Sequence, residues 1–224
     1  MWGLIHPLVL LASYTFVFSY CMQNGIKNYP LILFAGMLPW LLFSETVTRS
    51  SGSLVDQSNL ITKTMFPSEI LPVSIFLSSL LSHLMTVILF AIVASFFVGH
   101  MSPMLVMLPV FTLLLGLFAI GLGWIAAALQ VYLRDTSQVV AVVMTFWMWL
   151  TPIFIPEDKI PHWAHFILRI NPLVYVVRAY RQMLLEQTTP SLHDMGWFAL
   201  FGATAFICGG LFFRSLKRGF ADVL

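Results

Sequence analysis

Charge is what this sequence has least of: Asp, Glu, Lys and Arg make up 9% of 224 residues, against roughly 25% in a soluble domain. With 59% hydrophobic residues and a mean hydropathy of +0.92, the chain is excluded from the soluble globular class and reads as an integral membrane protein. Cysteine is nearly absent. Cys21 and Cys208 lie in separate apolar segments, with neither metal-ligand spacing nor a disulfide framework, and read as packing residues. A GxxxxGK[ST] phosphate loop, an HExxH zinc motif and a nucleophile elbow are all missing, so no catalytic or metal site is expected in this chain. The net charge of +2 says little about partners, and no nucleic-acid partner is expected.

What is present is a series of apolar stretches of about 20 residues, the length of a membrane helix and unlike the ten-residue alternation of a membrane barrel. Six spans are expected, over about 2–22, 31–51, 69–98, 104–132, 137–155 and 195–213. The first lacks a basic leader and a small-residue cleavage site, so it is expected to stay in the protein. It carries Tyr14 and Phe18 on one helical face, where aromatics serve either an interfacial belt or a sugar-facing surface. In the second span Glu45 precedes Arg49 by four residues, the favourable order for a helical ion pair, placed either near the headgroups or along a pathway. His83, central in the third span among Ser78, Ser79, Ser82 and Thr86, reads as a neutral histidine hydrogen-bonded between helices in preference to a proton relay. Ala119 and Gly123 form a small-xxx-small pair in the fourth span, expected to admit a neighbouring helix.

Two connectors stand out. The segment of about 53–67 has caps in Ser53 or Asp56, an apolar side in Leu54, Leu60, Ile61 and Met65, and a stop at Pro67. It is expected to lie along the membrane surface, as a linker or as the place where a soluble motor pushes. The stretch Thr151 to Arg181 is apolar enough for membrane depth, yet Pro152, Pro156, Pro161 and Pro172 forbid one continuous helix. It reads as a re-entrant helical hairpin over about 156–181, entering and leaving on one side, or as two amphipathic helices lying on that surface. Arg49, Lys63, Arg134, Arg214, Lys217 and Arg218 fall on the C-terminal side, and Lys27, Lys159, Arg169, Arg178 and Arg181 on the other. Because charges in short flanks weigh most, both termini are expected to be cytoplasmic.

LRDTSQVVAVVMTFWMWLTPIFIPEDKIP, followed by INPLVYVVRAYRQMLLE, resembles the membrane subunit of ABC-type polysaccharide exporters, those for O-antigen and related lipid-linked glycans such as teichoic acids. WGLIHPLVLLASYTFVF resembles the first span of that family, and NLITKTMFPSEILP its connector before the third, so the similarity covers essentially the whole chain. Members usually begin with a basic amphipathic helix before the first span. This sequence starts at Met1 and Trp2, almost inside that span, so the roles of that helix are not carried over.

The resemblance implies a homodimer of six-span subunits in the cytoplasmic (inner) membrane, each docked to a cytoplasmic ATP-binding subunit, two copies in all. ATP and Mg would be bound by that partner, and no cofactor by this chain. Carried across, Asn59, Lys63 and Phe66 lie in the coupling connector, with Arg134 and Asp135 at the second turn near the motor. Thr151, Pro152, Asn171, Pro172, Tyr180 and Arg181 belong to the extracytoplasmic gate. Tyr14, Phe18, Trp147 and Trp149 become candidates for stacking on the CH faces of a lipid-linked glycan as it passes. The alternatives are a drug- or lipid-exporting permease of the same class and, more distantly, an ion-coupled carrier relaying protons through His83 and Glu45.

Overall fold

The computed structural model describes residues 28–63, 66–98, 102–154 and 165–223, with isolated positions before 28 and between 157 and 163. Tyr14, Phe18 and most of the first expected span lie outside the described residues. Among those described, the regular elements are all helical: α1 (Tyr29–Asp56), α2 (Ser58–Lys63), α3 (Ile70–Val98), α4 (Leu108–Tyr132), α5 (Thr136–Leu150), α6 (His165–Ile170), α7 (Pro172–Arg181), α8 (Leu192–Leu216) and α9 (Phe220–Val223). Among the described residues four stretches are long and apolar enough to cross a membrane: Tyr29–Asp56, Ile70–Phe97, Pro103–Tyr132 and Leu192–Gly219. At 15 residues α5 rises about 22 Å, short of a hydrocarbon core of about 30 Å.

Proline and side-chain caps set several boundaries. Pro30 sits in the first turn of α1, where its missing N–H has no ladder partner to lose. Ser102 caps the short 3-10 turn that leads into α4, accepting from the Met104 amide at 3.2 Å. At the other end, α1 runs on past its expected limit. Ser53, Leu54 and Asp56 complete its last turns instead of opening the connector helix, which is confined to Ser58–Lys63. The reason is burial: Leu54 is 0% exposed, and only a helix continuous with the span places it in the core.

The helix directions follow from which residues meet. Phe43 of α1 stacks on Phe118 of α4, and Gly123 lies against Ser50 further along, so α1 and α4 run parallel. Gly202 approaches the Leu114 carbonyl and the Tyr132 hydroxyl donates to the Leu216 carbonyl, making α8 parallel to α4. Phe34 with Phe90, and Arg49 with Ser79, show α3 antiparallel to α1. The bundle therefore has two chemically distinct ends. One gathers α2, the 133–135 turn and the 217–223 segment; the other gathers Asn28, the 102–107 turn, residues 151–154 and residues 165–191.

The closest helix approach is between α4 and α8. A Cβ at Gly121 would stand 2.4 Å from the Ala205 carbonyl, and one at Gly209 would stand 2.1 Å from the Gly121 oxygen. Ala119 and Gly123, the expected small pair, do bring a helix close, but on another side. Ala119 is fully buried and Gly123 faces Ser50 of α1. Two residues turn a helix by about 200°, so Gly121 points away from both and opens a second face.

Candidate functional site

At one end, Asn171 organises the junction between α5 and α7. Asn171 Oδ1 accepts from the Leu173 amide at 3.1 Å, capping α7, whose first residue is Pro172. It also accepts from Trp147 Nε1 at 2.9 Å, while Nδ2 donates to the Leu150 carbonyl at 3.2 Å and to Thr151 Oγ1 at 3.0 Å. Two acceptances and two donations use both ends of the amide. Thr151, Pro152, Asn171 and Pro172 are all buried.

The far end of α7 is held as tightly. The Tyr180 hydroxyl, fully buried, lies 3.0 Å from His83 Nε2 and 2.8 Å from Thr112 Oγ1, joining α7 to α3 and α4. Arg181, 8% exposed, donates from Nη2 to the Ile153 carbonyl at 2.8 Å and from Nε to that of Ile32 at 3.2 Å. Gly36 makes this possible: a Cβ there would sit 3.1 Å from the Arg181 guanidinium. Nine of the ten residues of α7 are buried within the protein. On its remaining side Arg178 binds Glu157 through two hydrogen bonds, 3.1 and 2.6 Å, and Asp194 at the start of α8 through a third.

The two aromatic candidates that are described part company. Trp147 is half-buried, its edge against Phe43 and Phe118 and its N–H on Asn171. Trp149 is 65% exposed and stacks on Phe154 at 4.9 Å.

At the opposite end, Asn59 and Lys63 on α2 are exposed, whereas Ile61 and Phe66 pack onto a small separate core of Leu54, Leu71, Ala127, Ala128, Val131, Phe213 and Phe220. That core draws on α1, α3, α4, α8 and α9 together. Arg134 and Asp135 are exposed on a turn bracketed by Gln130, which donates to the Arg134 carbonyl at 2.7 Å and accepts from the Ser137 amide at 2.6 Å. Lys217 reaches both Glu69 oxygens, at 2.6 and 2.7 Å, and Trp124 Nε1 donates to the Glu69 carbonyl at 3.0 Å.

Burial alone would raise the Glu69 carboxyl, but the hydrogen bond from Lys217, a backbone hydrogen bond and the charges of Lys217 and Arg214 hold it below its usual value of 4.5. A depressed folded-state value contributes stability that is present above 4.5 and lost as pH falls through the lower value. Acidification in that window therefore lowers the thermal midpoint of the native chain more than that of Glu69→Gln, a difference differential scanning fluorimetry reads directly.

The ionisable groups of the membrane segments fall into separate networks. Glu45 and Arg49 pair at 2.8 Å, both about half exposed, and Arg49 also lines a polar cavity of about 470 Å³ with Asp56, Gln57 and Ser137. His83 is buried and pairs with Tyr180. Glu45 and His83 therefore have different partners, Arg49 for the first and Tyr180 for the second. Gln130, the Glu69–Lys217 pair and the Arg178 clamp escaped sequence reading. Glu69 and Lys217 stand 148 positions apart, and no local pattern marks such partners.

Comparison with known proteins adds a family. Residues 1–185 match the family described as ABC-2 type transporter. The chain is 26% identical to a protein of Myxococcus xanthus named O-antigen export system permease protein RfbA, over 99% of this chain and 86% of the relative. A Klebsiella pneumoniae protein of the same name is 29% identical over 100% of this chain and 86% of its own length. The polysialic acid transport protein KpsM of Escherichia coli is 21% identical over 97% and 86%.

Proposed function

The chain belongs to the ABC-2 type transporter family, and from that premise we propose that it is the membrane subunit of an ATP-driven exporter carrying a lipid-linked polysaccharide across the inner membrane. The observation that carries this reading is similarity along essentially the whole chain to permeases named for O-antigen export and polysialic acid transport. ATP and Mg belong to a separate ATP-binding subunit, and this chain supplies the path and the coupling surface.

In this account the subunit crosses the membrane six times with both termini cytoplasmic, and two copies enclose the path between them. The end bearing α2, the Arg134–Asp135 turn and the basic 214–218 segment is cytoplasmic, in keeping with the excess of positive charge expected there. The opposite end faces outward, and α7 dips into the membrane as the inner limb of a re-entrant hairpin. The bond from Tyr180 to His83, midway along α3, supports that depth. Irregular backbone beside α7 is tolerable because Asn171 and Arg181 satisfy the carbonyls of 150, 153 and 32. The apolar face of α5, with Val139, Val142, Phe146 and Trp149 exposed, is the surface left for a second copy or for the glycan.

Coupling follows from the small core under the connector. Phe66 and Ile61 are seated on residues from four membrane-embedded helices at once, so force on α2 is delivered to the ends of all four as a unit. Exposed Lys63 and Asn59 are left to meet the motor. With the ATP-binding partner in proteoliposomes, Lys63→Ala and Phe66→Ala are expected to lower glycan export by about tenfold while ATP hydrolysis continues. Native export by both variants removes the connector from the mechanism.

A further inference from the structure

The clamp around Arg178 forms one wall of a cavity. About 700 Å³ in volume, it lies between the hairpin and α8, within the roughly 300–1,000 Å³ typical of small-molecule sites. Its other wall is aromatic. Tyr175 and Phe201 are stacked at 6.4 Å, and Trp197, 44% exposed, follows Phe201 at 6.5 Å.

The polar side is balanced in charge: Arg169 and Arg178 against Glu157 and Asp194, with His165 and His193 beside them. An anion such as phosphate gains little from such a set, and neither does a lone cation. Both Glu157 oxygens and Asp194 Oδ2 keep a lone pair beyond the one given to Arg178, Asp194 Oδ1 faces His193 Nδ1 at 3.5 Å, and the clamp fixes these acceptors in place before any ligand arrives. Fixed acceptors and guanidinium donors facing an aromatic plane suit a neutral, hydroxyl-rich molecule with one apolar face. Pyranose rings have that build. Trp197 also differs from an interfacial anchor, because its indole N–H donates to His193 Nε2 at 3.0 Å on its own helix, while the residue, set between His193 and Phe201, stays 44% exposed.

We propose that this cavity is a saccharide-binding site at the outward end, taking one or two sugar residues of the exported chain after they leave the membrane path. Trp197 supplies the stacking plane, and Glu157, Asp194 and Arg169 supply the hydroxyl contacts. The inference rests on the export reading above.

The test is saturation-transfer NMR on the full chain with its ATP-binding partner in nanodiscs. The probes are the methyl glycosides of mannose, galactose and N-acetylglucosamine, with glycerophosphoethanolamine as a soluble lipid headgroup. At least one glycoside is expected to bind, about tenfold more weakly in Trp197→Leu and near native strength in Trp197→Phe, without displacement by the headgroup. Absence of glycoside contact, equal binding by Trp197→Leu, or displacement by glycerophosphoethanolamine overturns the site. Stimulation of ATP hydrolysis by lipid-linked glycan is measured in the same nanodiscs. If it persists while glycosides fail to bind, the cavity inference falls alone; if both are absent, the export reading falls with it.

Discussion

Gly209→Leu destabilises the folded chain by about 3 kcal/mol, at the upper end of what overpacking usually costs. The site offers no side chain that can swing aside, because a Cβ at Gly209 stands 2.1 Å from the backbone oxygen of Gly121 and 2.8 Å from its carbonyl carbon. Relief requires α8 to back away from α4. That motion also pulls Gly202 from Leu114 and strains the Tyr132 to Leu216 hydrogen bond at the connector end. In lipid, where packing between backbones takes over much of the role water plays for soluble proteins, such a gap is not refilled by hydrophobic burial. Gly121→Leu behaves in the same way, against the Ala205 carbonyl at 2.4 Å. Gly196, on the same helix with nothing within 4 Å of its Cβ position, is the control, and Gly196→Leu is not destabilised, gaining up to about 1 kcal/mol of helix propensity. Reversible unfolding in mixed micelles measures all three.

Asn171→Leu is the second large effect, with an expected loss of about 3 kcal/mol: roughly 1 for the α7 cap and the rest for polar groups left buried without partners. Leucine keeps the branched side-chain skeleton, so the dominant loss is that of the polar contacts. The Trp147 N–H, the Leu173 N–H and the Leu150 carbonyl each lose the partner described above. Asn171→Asp separates cap from network. Its carboxylate keeps the acceptances from Leu173 and Trp147 but turns two donations into repulsions against the Leu150 carbonyl and Thr151 Oγ1. It is therefore destabilised as well, in spite of an intact cap. Retention of native stability by both variants shows that the junction between α5 and α7 is anchored elsewhere.

How much of this was legible in the sequence depended on whether the signal was local. Apolar runs gave the long helices, and the prolines between Pro152 and Pro172 correctly broke the helix there, because both effects act within a few residues. Local spacing also gave the Glu45–Arg49 pair, seen at 2.8 Å. The limit of α1 was misjudged because Ser53 and Asp56 have good capping chemistry, and only tertiary burial of Leu54 carries the helix past them. Ala119 and Gly123 do admit a neighbouring helix, as their spacing implied, but the second close face at Gly121 went unread, because the partner each glycine meets is decided by the rotation of the helix. The Arg178 clamp joins Glu157, Arg178 and Asp194 across two connectors, a grouping that becomes visible only when α7 and α8 are seen side by side. For α7 the sequence left a buried and a surface reading open, since its two arginines and two tyrosines suit a surface helix until their partners are known.

The central claim is that this chain moves a lipid-linked glycan with energy from a separate ATP-binding subunit. Its most direct test is co-reconstitution of the two chains in nanodiscs, with ATP hydrolysis measured with and without lipid-linked glycan. The account predicts a stable assembly of two copies of each subunit whose turnover rises with the glycan. A chain that stays without an ATP-binding partner and moves its substrate on a proton or sodium gradient contradicts it.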